Sequence, residues 1–299
     1  MNILKGDKME NKIRYSDLVR DLPLSEKIRR SRAVIKKAVE KSTHPLIINF
    51  SGGKDSLVCL SLCKSVTRKV EACYCDGGID LPLTKPYVIQ TCKDLGIKLH
   101  IPTVGVDLVP HRPNSKLSNC QTLVDYIRHY GYFPTAGKRW CSIWIKQRVI
   151  KAYFRKIYGR DILYKVNGVR MFESKTRLWK YGDQKHFKKY SLDGTPFFRK
   201  DGEAAPHICV YPIVEWTDEN VTEYLNMMGI KIHGGYKEAG VSGCKWCPVH
   251  PLEVYRALMT KYPTMYDEFI KLENEINRPA IQGKLWLRDL KKELYPNRK

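Results

Sequence analysis

One short segment constrains this chain more than any other. Residues 46–50 are an apolar run, Ser51-Gly52-Gly53-Lys54-Asp55-Ser56 follows at once, and LVCLSLCKSV continues in a helical pattern. A buried strand that breaks into a glycine turn and then a helix makes a phosphate cradle. The two glycines let the backbone turn sharply and bring its N–H groups close to anionic oxygens. The helix adds unpaired N–H donors and the positive end of its dipole. Ser51 and Ser56 supply hydroxyls and Lys54 a cation, whereas Asp55 is expected to orient the loop or help hold Mg2+ beside phosphate. Neither the Walker A pattern nor G-x-G-x-x-G is present.

The surroundings of that turn extend the pattern. Residues 69–75, 98–102 and 162–169 read as further strands, and 84–95, 122–130 and 143–158 as helices, the first stopped by Gly96. Strands alternating with helices indicate parallel βαβ units. The expected fold class is therefore α/β, a doubly wound, mostly parallel, Rossmann-like sheet with helical additions at both ends. Three parts are expected: a basic helical segment over 1–43, a nucleotide-binding α/β domain over 44–235, and a cysteine knuckle with helices over 236–299. In the first, Ile28, Val34, Ile35 and Val39 fall near one helical face opposite many cations, as in an amphipathic helix covering a sheet. Residues 175–206 are rich in Lys, Gly, Asp and aromatics and show little periodicity, which reads as a long loop or an inserted hairpin. Thr217 is the expected N-cap of a helix over 219–228, and 252–262 and 266–277 read as helices.

Charge narrows the partners. Lys and Arg number 53 against 31 Asp and Glu, a net charge of +22. Such an excess captures polyanions, and a small nucleotide alone does not call for so much, so nucleic acid is the expected partner. No apolar run approaches the length of a membrane-spanning helix, and the first residues are polar rather than a secretory leader. A soluble cytoplasmic protein is expected. In that reducing setting the ten cysteines are not a disulfide framework. Cys59, Cys63, Cys73, Cys75 and Cys92 sit in apolar stretches and read as small buried hydrophobes. Cys244-Lys245-Trp246-Cys247-Pro248 differs: a C-x-x-C between Gly243 and Pro248 suits a knuckle that aims two thiolates at one metal.

The turn SGGKDS resembles the PP-loop of the adenine nucleotide α-hydrolase superfamily, and with Lys in its variable place it is similar to the phosphoadenylylsulfate (PAPS) reductase branch. The resemblance runs over about residues 45–250. Cys75–Pro82 resembles that branch's second-strand element, although Gly77 replaces Thr and Leu83 stands where Glu is common. Arg139-Trp140-Cys141 with Lys146 resembles its RWCT-x-x-x-K segment. Gly168-Val169-Arg170 with Glu173, Ser174 and Arg177 resembles its GVRAEES-x-x-R segment, and Pro212-Ile213 with Trp216-Thr217 and Val221 its PI-x-x-WT segment.

The resemblance implies ATP with Mg2+ on Ser51–Ser56, with Lys54, Asp55 and Arg170 as catalytic candidates. Asp76, Gly168, Arg170 and Arg177 are further nucleotide contacts, the arginines as bidentate anion clamps. It also implies Cys141 as the third thiolate beside Cys244 and Cys247. Cys120 is the chosen fourth, in competition with Cys209 and His250. Zinc fits Cys141, Cys244, Cys247 and His250, but the resemblance favours a 4Fe–4S cluster with four thiolates, or three and one open iron.

One motif is missing. No cysteine follows Cys247, so the C-terminal Glu-Cys-Gly-x-His nucleophile of the sulfonucleotide reductases is absent, and Trp140 precedes Cys141 where adenylylsulfate reductases pair two cysteines. The expectation is therefore an ATP-dependent sulfur-inserting enzyme that releases pyrophosphate and AMP. The nearest kit is that of the DNA phosphorothioation proteins, with DNA rather than tRNA as acceptor and a cysteine desulfurase as sulfur source. The alternatives are a reductase with an altered thiol donor and a non-catalytic nucleotide-sensing module that binds nucleic acid.

Overall fold

A computed structural model describes residues 13–107, 120–200 and 207–296. Six strands form one sheet in the order β3-β2-β1-β4-β6-β5. They are β1 (Leu46–Asn49), β2 (Val70–Cys73), β3 (Lys98–His100), β4 (Leu163–Val166), β5 (Phe198–Lys200) and β6 (His207–Val210). The first five in that order run parallel, and β5 closes the edge antiparallel to β6. In β1 the residues Leu46, Ile47 and Ile48 are all fully buried, which is why the strand reads as an unbroken apolar run: both faces of the sheet are covered.

The helices before residue 230 are α1 (Tyr15–Arg20), α2 (Leu24–Lys41), α3 (Lys54–Val66), α4 (Thr84–Asp94), α5 (Leu123–Tyr130), α6 (Arg148–Tyr158), α7 (Lys175–Gly182), α8 (Gln184–Lys188) and α9 (Asp218–Met227). Helix α3 is buried from Ser56 to Cys63, without an exposed stripe, because α2 and α9 cover it against the sheet. Helix α2 is the expected amphipathic cover, with Val34 and Ile35 buried and Ile28 and Val39 packed at the margin. Thr217 caps α9 through the Asn220 N–H. Cys59, Cys63, Cys73, Cys75 and Cys92 are buried, as their apolar settings indicate.

A second apolar core holds the C-terminal helices α10 (Gly235–Ala239), α11 (Leu252–Lys261), α12 (Asp267–Ile276) and α13 (Leu287–Leu294). It also takes in Tyr126, Phe133, Trp140 and Ile145, so α5 and the chain after it pack with the C-terminal helices. The buried Glu273 carboxylate accepts from the N–H groups of Ala280, Leu287 and Arg288 and so ties α13 to α12.

Three sequence expectations change. Of the segment 175–206, residues 201–206 lie outside the described residues; 175–200 are not one long loop but carry α7, α8 and β5, and the hairpin part of the expectation survives in the antiparallel β5–β6 pair. The helix expected over 143–158 opens as a π-helical turn, Ser142–Gln147, before α6. Helix α1 falls within the segment expected to be helical, whereas α10 and α13 have no counterpart among the expected helices. Among the described residues no helix is long and apolar enough to cross a membrane.

Candidate active site

Chain order reverses between β1 and β4, which are neighbours in the sheet. Open α/β sheets bind ligands at such a switch point, beyond the C-terminal ends of the strands. The turn after β1 and the segment after β4 meet there. Gly52 takes the left-handed φ of +79°, which only glycine adopts without strain. Gly53 precedes α3, and the place of a Cβ on it lies 3.3 Å from Ser242 Oγ and 3.5 Å from the Tyr236 hydroxyl. The Lys54 N–H donates to that tyrosine hydroxyl at 3.1 Å, and Ser242 Oγ donates to it at 3.0 Å. Ser56 is buried and turns its hydroxyl back to the Gly53 carbonyl at 2.8 Å, whereas Ser51 is exposed on the turn.

Gly168 explains how the two segments touch. A Cβ there would lie 2.6 Å from the Asp55 carbonyl carbon and 2.7 Å from the Ser56 nitrogen, so only glycine lets the chain after β4 lie on the first turn of α3. This contact carries Arg170, only 4% exposed, to Asp55: Nε donates to Oδ1 at 2.8 Å, and a terminal nitrogen donates to Asp218 at 2.8 Å. Asp218 also accepts from Lys54 Nζ at 2.6 Å. Burial pushes the Asp55 carboxyl up, against the pull of Arg170 and Lys54. Partial burial works the same way on Asp218, but its bonds to Lys54 and Arg170 outweigh it and hold that carboxyl below the usual range.

Arg177 is ion-paired to Glu173. Burial lowers its proton affinity, and it lies within the field of Asp55, Arg170 and Arg139. Asp76 stands apart from this group. Its carboxylate is held by Lys85 at 2.8 Å and by the Gly78 N–H at 3.2 Å, beside a cavity of about 570 Å³ that Thr103, Thr122, Arg128 and Lys245 also line.

The cysteine knuckle is fixed to the same end of the sheet. Its backbone bonds to the loop after β2, with Leu81 N–H to Gly243 O at 2.8 Å and Lys245 N–H to Ile79 O at 2.7 Å. The Cys247 carbonyl accepts from the Tyr255 hydroxyl at 2.8 Å. Cys247 acts electrostatically on both Cys141 and Cys244, so these three thiols share one neighbourhood. Burial pushes the Cys244 thiol up to about 12, although Lys146 Nζ approaches its sulfur at 3.3 Å. The Cys244 sulfur and Asp80 together hold the Lys146 ammonium above its usual range.

The structure does not bring Cys120 to these thiols. Its sulfur points at the Asp125 carbonyl at 3.8 Å, under α5, because the segment packs with that helix. Cys209 lies in the sheet core, and His250 Nε2 engages the Cys244 carbonyl at 3.0 Å. Among the described residues no three His, Cys, Asp or Glu side chains are posed for a single metal ion. A closed zinc site needs four protein donors, whereas a cluster accepts three thiolates and keeps one iron open. Cys141, Cys244 and Cys247 supply three thiols in one neighbourhood.

Three residues of this site escaped the sequence reading. Asp218 looked like the first residue of a capped helix and no more. Tyr236 and Ser242 carry no motif of their own, and their nearness to the C-x-x-C was the one available signal.

A sequence profile of the phosphoadenosine phosphosulfate reductase domain matches residues 45–265. Two uncharacterised proteins of Methanocaldococcus jannaschii are similar. One is 25% identical over 257 residues, covering 85% of this chain and 46% of that protein. The other is 24% identical over 247 residues, covering 81% and 51%. The chain thus spans about half the length of the curated relatives it matches. Among solved structures, a U34-tRNA thiolase of Methanococcus maripaludis with its 4Fe–4S cluster superposes with a TM-score of 0.50 at 16% identity, covering 92% of this chain and 80% of that one. A PAPS reductase of Candida auris in a phosphate complex gives 0.45 at 12% identity, covering 71% and 88%.

Proposed function

The chain belongs to the phosphoadenosine phosphosulfate reductase domain family, and from that premise we propose that it is an ATP-dependent sulfurtransferase acting on nucleic acid, DNA before tRNA. One observation carries the reading. Ser242, which touches the phosphate turn, stands two residues ahead of Cys244. Two residues span at most about 7 Å of chain. The turn that would hold a nucleotide's phosphates and the thiol of Cys244 therefore lie close together at one end of the sheet.

The residues divide the work. Backbone N–H groups at the start of α3, with Lys54, hold the ATP phosphates, and Arg177 adds charge at the rim. Arg170, locked by Asp55, positions the turn rather than reaching out. A non-bridging phosphate oxygen, or a base carbonyl, attacks the α-phosphorus and pyrophosphate leaves, with its growing charge held by the same donors. The acceptor atom now carries AMP as a leaving group. A cysteine desulfurase supplies the sulfur as a persulfide; a dithiol reductant gives it two electrons and is itself oxidised to a disulfide, and the hydrosulfide so released displaces AMP, which departs with the acceptor's oxygen. Cys141, Cys244 and Cys247 would hold a 4Fe–4S cluster, which supplies an open iron able to bind sulfur. Lys146, among those thiols, favours their thiolate forms. Mg2+ would accompany the phosphates.

The test is anaerobic purification with iron, sulfide and zinc analysis, followed by pyrophosphate release assayed with DNA, with tRNA and with neither. Iron at about four per chain and release stimulated by DNA are expected. Zinc at about one per chain with no pyrophosphate under any condition refutes the reading, and stimulation by tRNA alone moves the acceptor to RNA.

A further inference from the structure

Residues 175–200, which leave the site directly after Arg170, carry eight Lys and Arg against two Asp. Neither acid neutralises those cations. Asp193 is bonded to Lys37 at 2.6 Å, and Asp183 pairs with His186 at 3.1 Å. Of the eight cations only Arg177 is ion-paired among the described residues, to Glu173. A chain that merely needs solubility disperses such charges and keeps aromatics inside. Here large aromatics stand out among them, Trp179 at 59% and Tyr190 at 46% exposure. They are also braced: Trp179 lies against the His186 ring at 4.0 Å, and the Arg199 guanidinium sits over the Tyr190 ring at 4.5 Å. A cleft of about 260 Å³ opens beside Trp179, lined by Arg14, Lys175 and Leu178 among others.

The cations are also in sequence. Arg177 lies in the field of Arg170 and Arg139, and Lys180 in the field of Arg177 and Arg199. Like charges such as Lys180 and Arg199, which have no carboxylate partner among the described residues, repel one another, and a polyanion laid along them relieves that repulsion.

We propose that the face made by α7, α8 and β5 is a track for an unpaired polynucleotide strand, with phosphates on Lys180 and Arg199 and bases against Trp179 and Tyr190, leading past Arg177 to the turn before α3. The inference rests on the nucleic-acid reading above and specifies its form. Stacking on exposed rings requires bases with free faces, which a duplex does not offer, and the combination of cations with aromatics is how single strands are held without sequence preference.

The test is fluorescence anisotropy of a labelled oligo(dT) of about sixteen nucleotides on the full chain, against a duplex of equal length. The Trp179→Ala/Tyr190→Ala and Lys180→Ala/Arg199→Ala variants are compared with the unaltered chain, and ATP binding by equilibrium dialysis shows that each variant is folded. Tighter binding of the single strand is expected, with a loss of about ten-fold or more in the aromatic variant. The cation variant should lose about 0.7 per removed contact from the slope of log affinity against log salt. Equal binding by the variants, or a preference for the duplex, overturns the track while leaving the nucleic-acid reading in place. No binding by the unaltered chain at any salt concentration sinks both.

Discussion

Asp218 tests whether the site is held closed by its own charges. Its carboxylate bonds Lys54 at 2.6 Å and Arg170 at 2.8 Å, so a phosphate that claims the Lys54 ammonium must displace it or sit beside it. A phosphate oxygen on that ammonium would lie roughly 5 Å from the carboxylate, a repulsion of about 1 kcal/mol at the dielectric of water and about 3 kcal/mol at an effective value near 20. The Asp218 side chain is 53% exposed, so the lower figure governs. Asp218→Asn is therefore expected to tighten ATP binding about five-fold. It should cost about 1 kcal/mol of stability, because Arg170 keeps Asp55 and an amide oxygen remains in place. Isothermal titration at low and high salt reads the effect, and the gain should shrink as salt screens it. Lowering the pH acts in the same direction. The Asp218 carboxyl is held below its ordinary 3.8, so its stabilising bonds are intact above that value and are lost as the pH falls through its lower folded-state value. Unchanged or weaker ATP binding in the variant would refute the reasoning and show that Asp218 aims Lys54 at the ligand.

Other expectations follow from the same contacts. Tyr236→Phe removes the hydroxyl that accepts from the Lys54 N–H and should cost the ligand-free protein about 1 kcal/mol in a denaturant titration. If phosphate takes over that N–H, ATP binds more tightly by a similar amount, and a loss of affinity would mean instead that the hydroxyl bonds the nucleotide. Gly168→Ala forces a Cβ to within 2.6 Å of the Asp55 backbone, which should cost about 1–3 kcal/mol and abolish ATP binding; an unchanged melting temperature would contradict it. The Cys75, Cys92 and Cys244 thiols are all pushed up to about 12 from 9.0 by burial. Their contribution to stability is present below pH 9.0 and lost as the pH rises toward 12. The metal-free chain should melt progressively earlier across that window, and a flat profile would show that these thiols ionise without unfolding.

The parts of this molecule that announce themselves in sequence are those whose chemistry is local. The turn at Ser51–Ser56 needs two glycines, hydroxyls and a cation within six residues, and the buried β1 needs an unbroken apolar run, so both can be read directly. Residues 175–200 could not be: α7 and α8 are short, rich in charge, and owe their order to contacts with α1 and with each other. Cys120 shows the same limit. Its spacing from Cys141 says nothing of which way its thiol faces, and packing with α5 turns it to the Asp125 carbonyl. Asp218 is 164 residues from Lys54 and Tyr236 is 182. No window of sequence joins such residues; the sheet topology does.

That topology also accounts for the residue hardest to place in a phosphate site, the carboxylate of Asp55. Arg170 is carried into the protein by the contact of Gly168 with α3 and is almost wholly enclosed. A guanidinium taken out of water without a partner costs several kcal/mol. The turn therefore needs a carboxylate before any nucleotide arrives, and Asp55, in the first turn of α3, is the enclosed one that meets Nε, while Asp218 bonds a terminal nitrogen from the mouth. The two acids differ in kind. Asp55 is largely buried against Arg170 and cannot be given up to a ligand without stranding that charge, so it belongs to the fold of the site. Asp218 is half exposed at the mouth and shares Lys54, so a phosphate can replace it there at small cost. An anion site can thus carry two carboxylates and still bind anions, provided that one of them is structural and the other gives way.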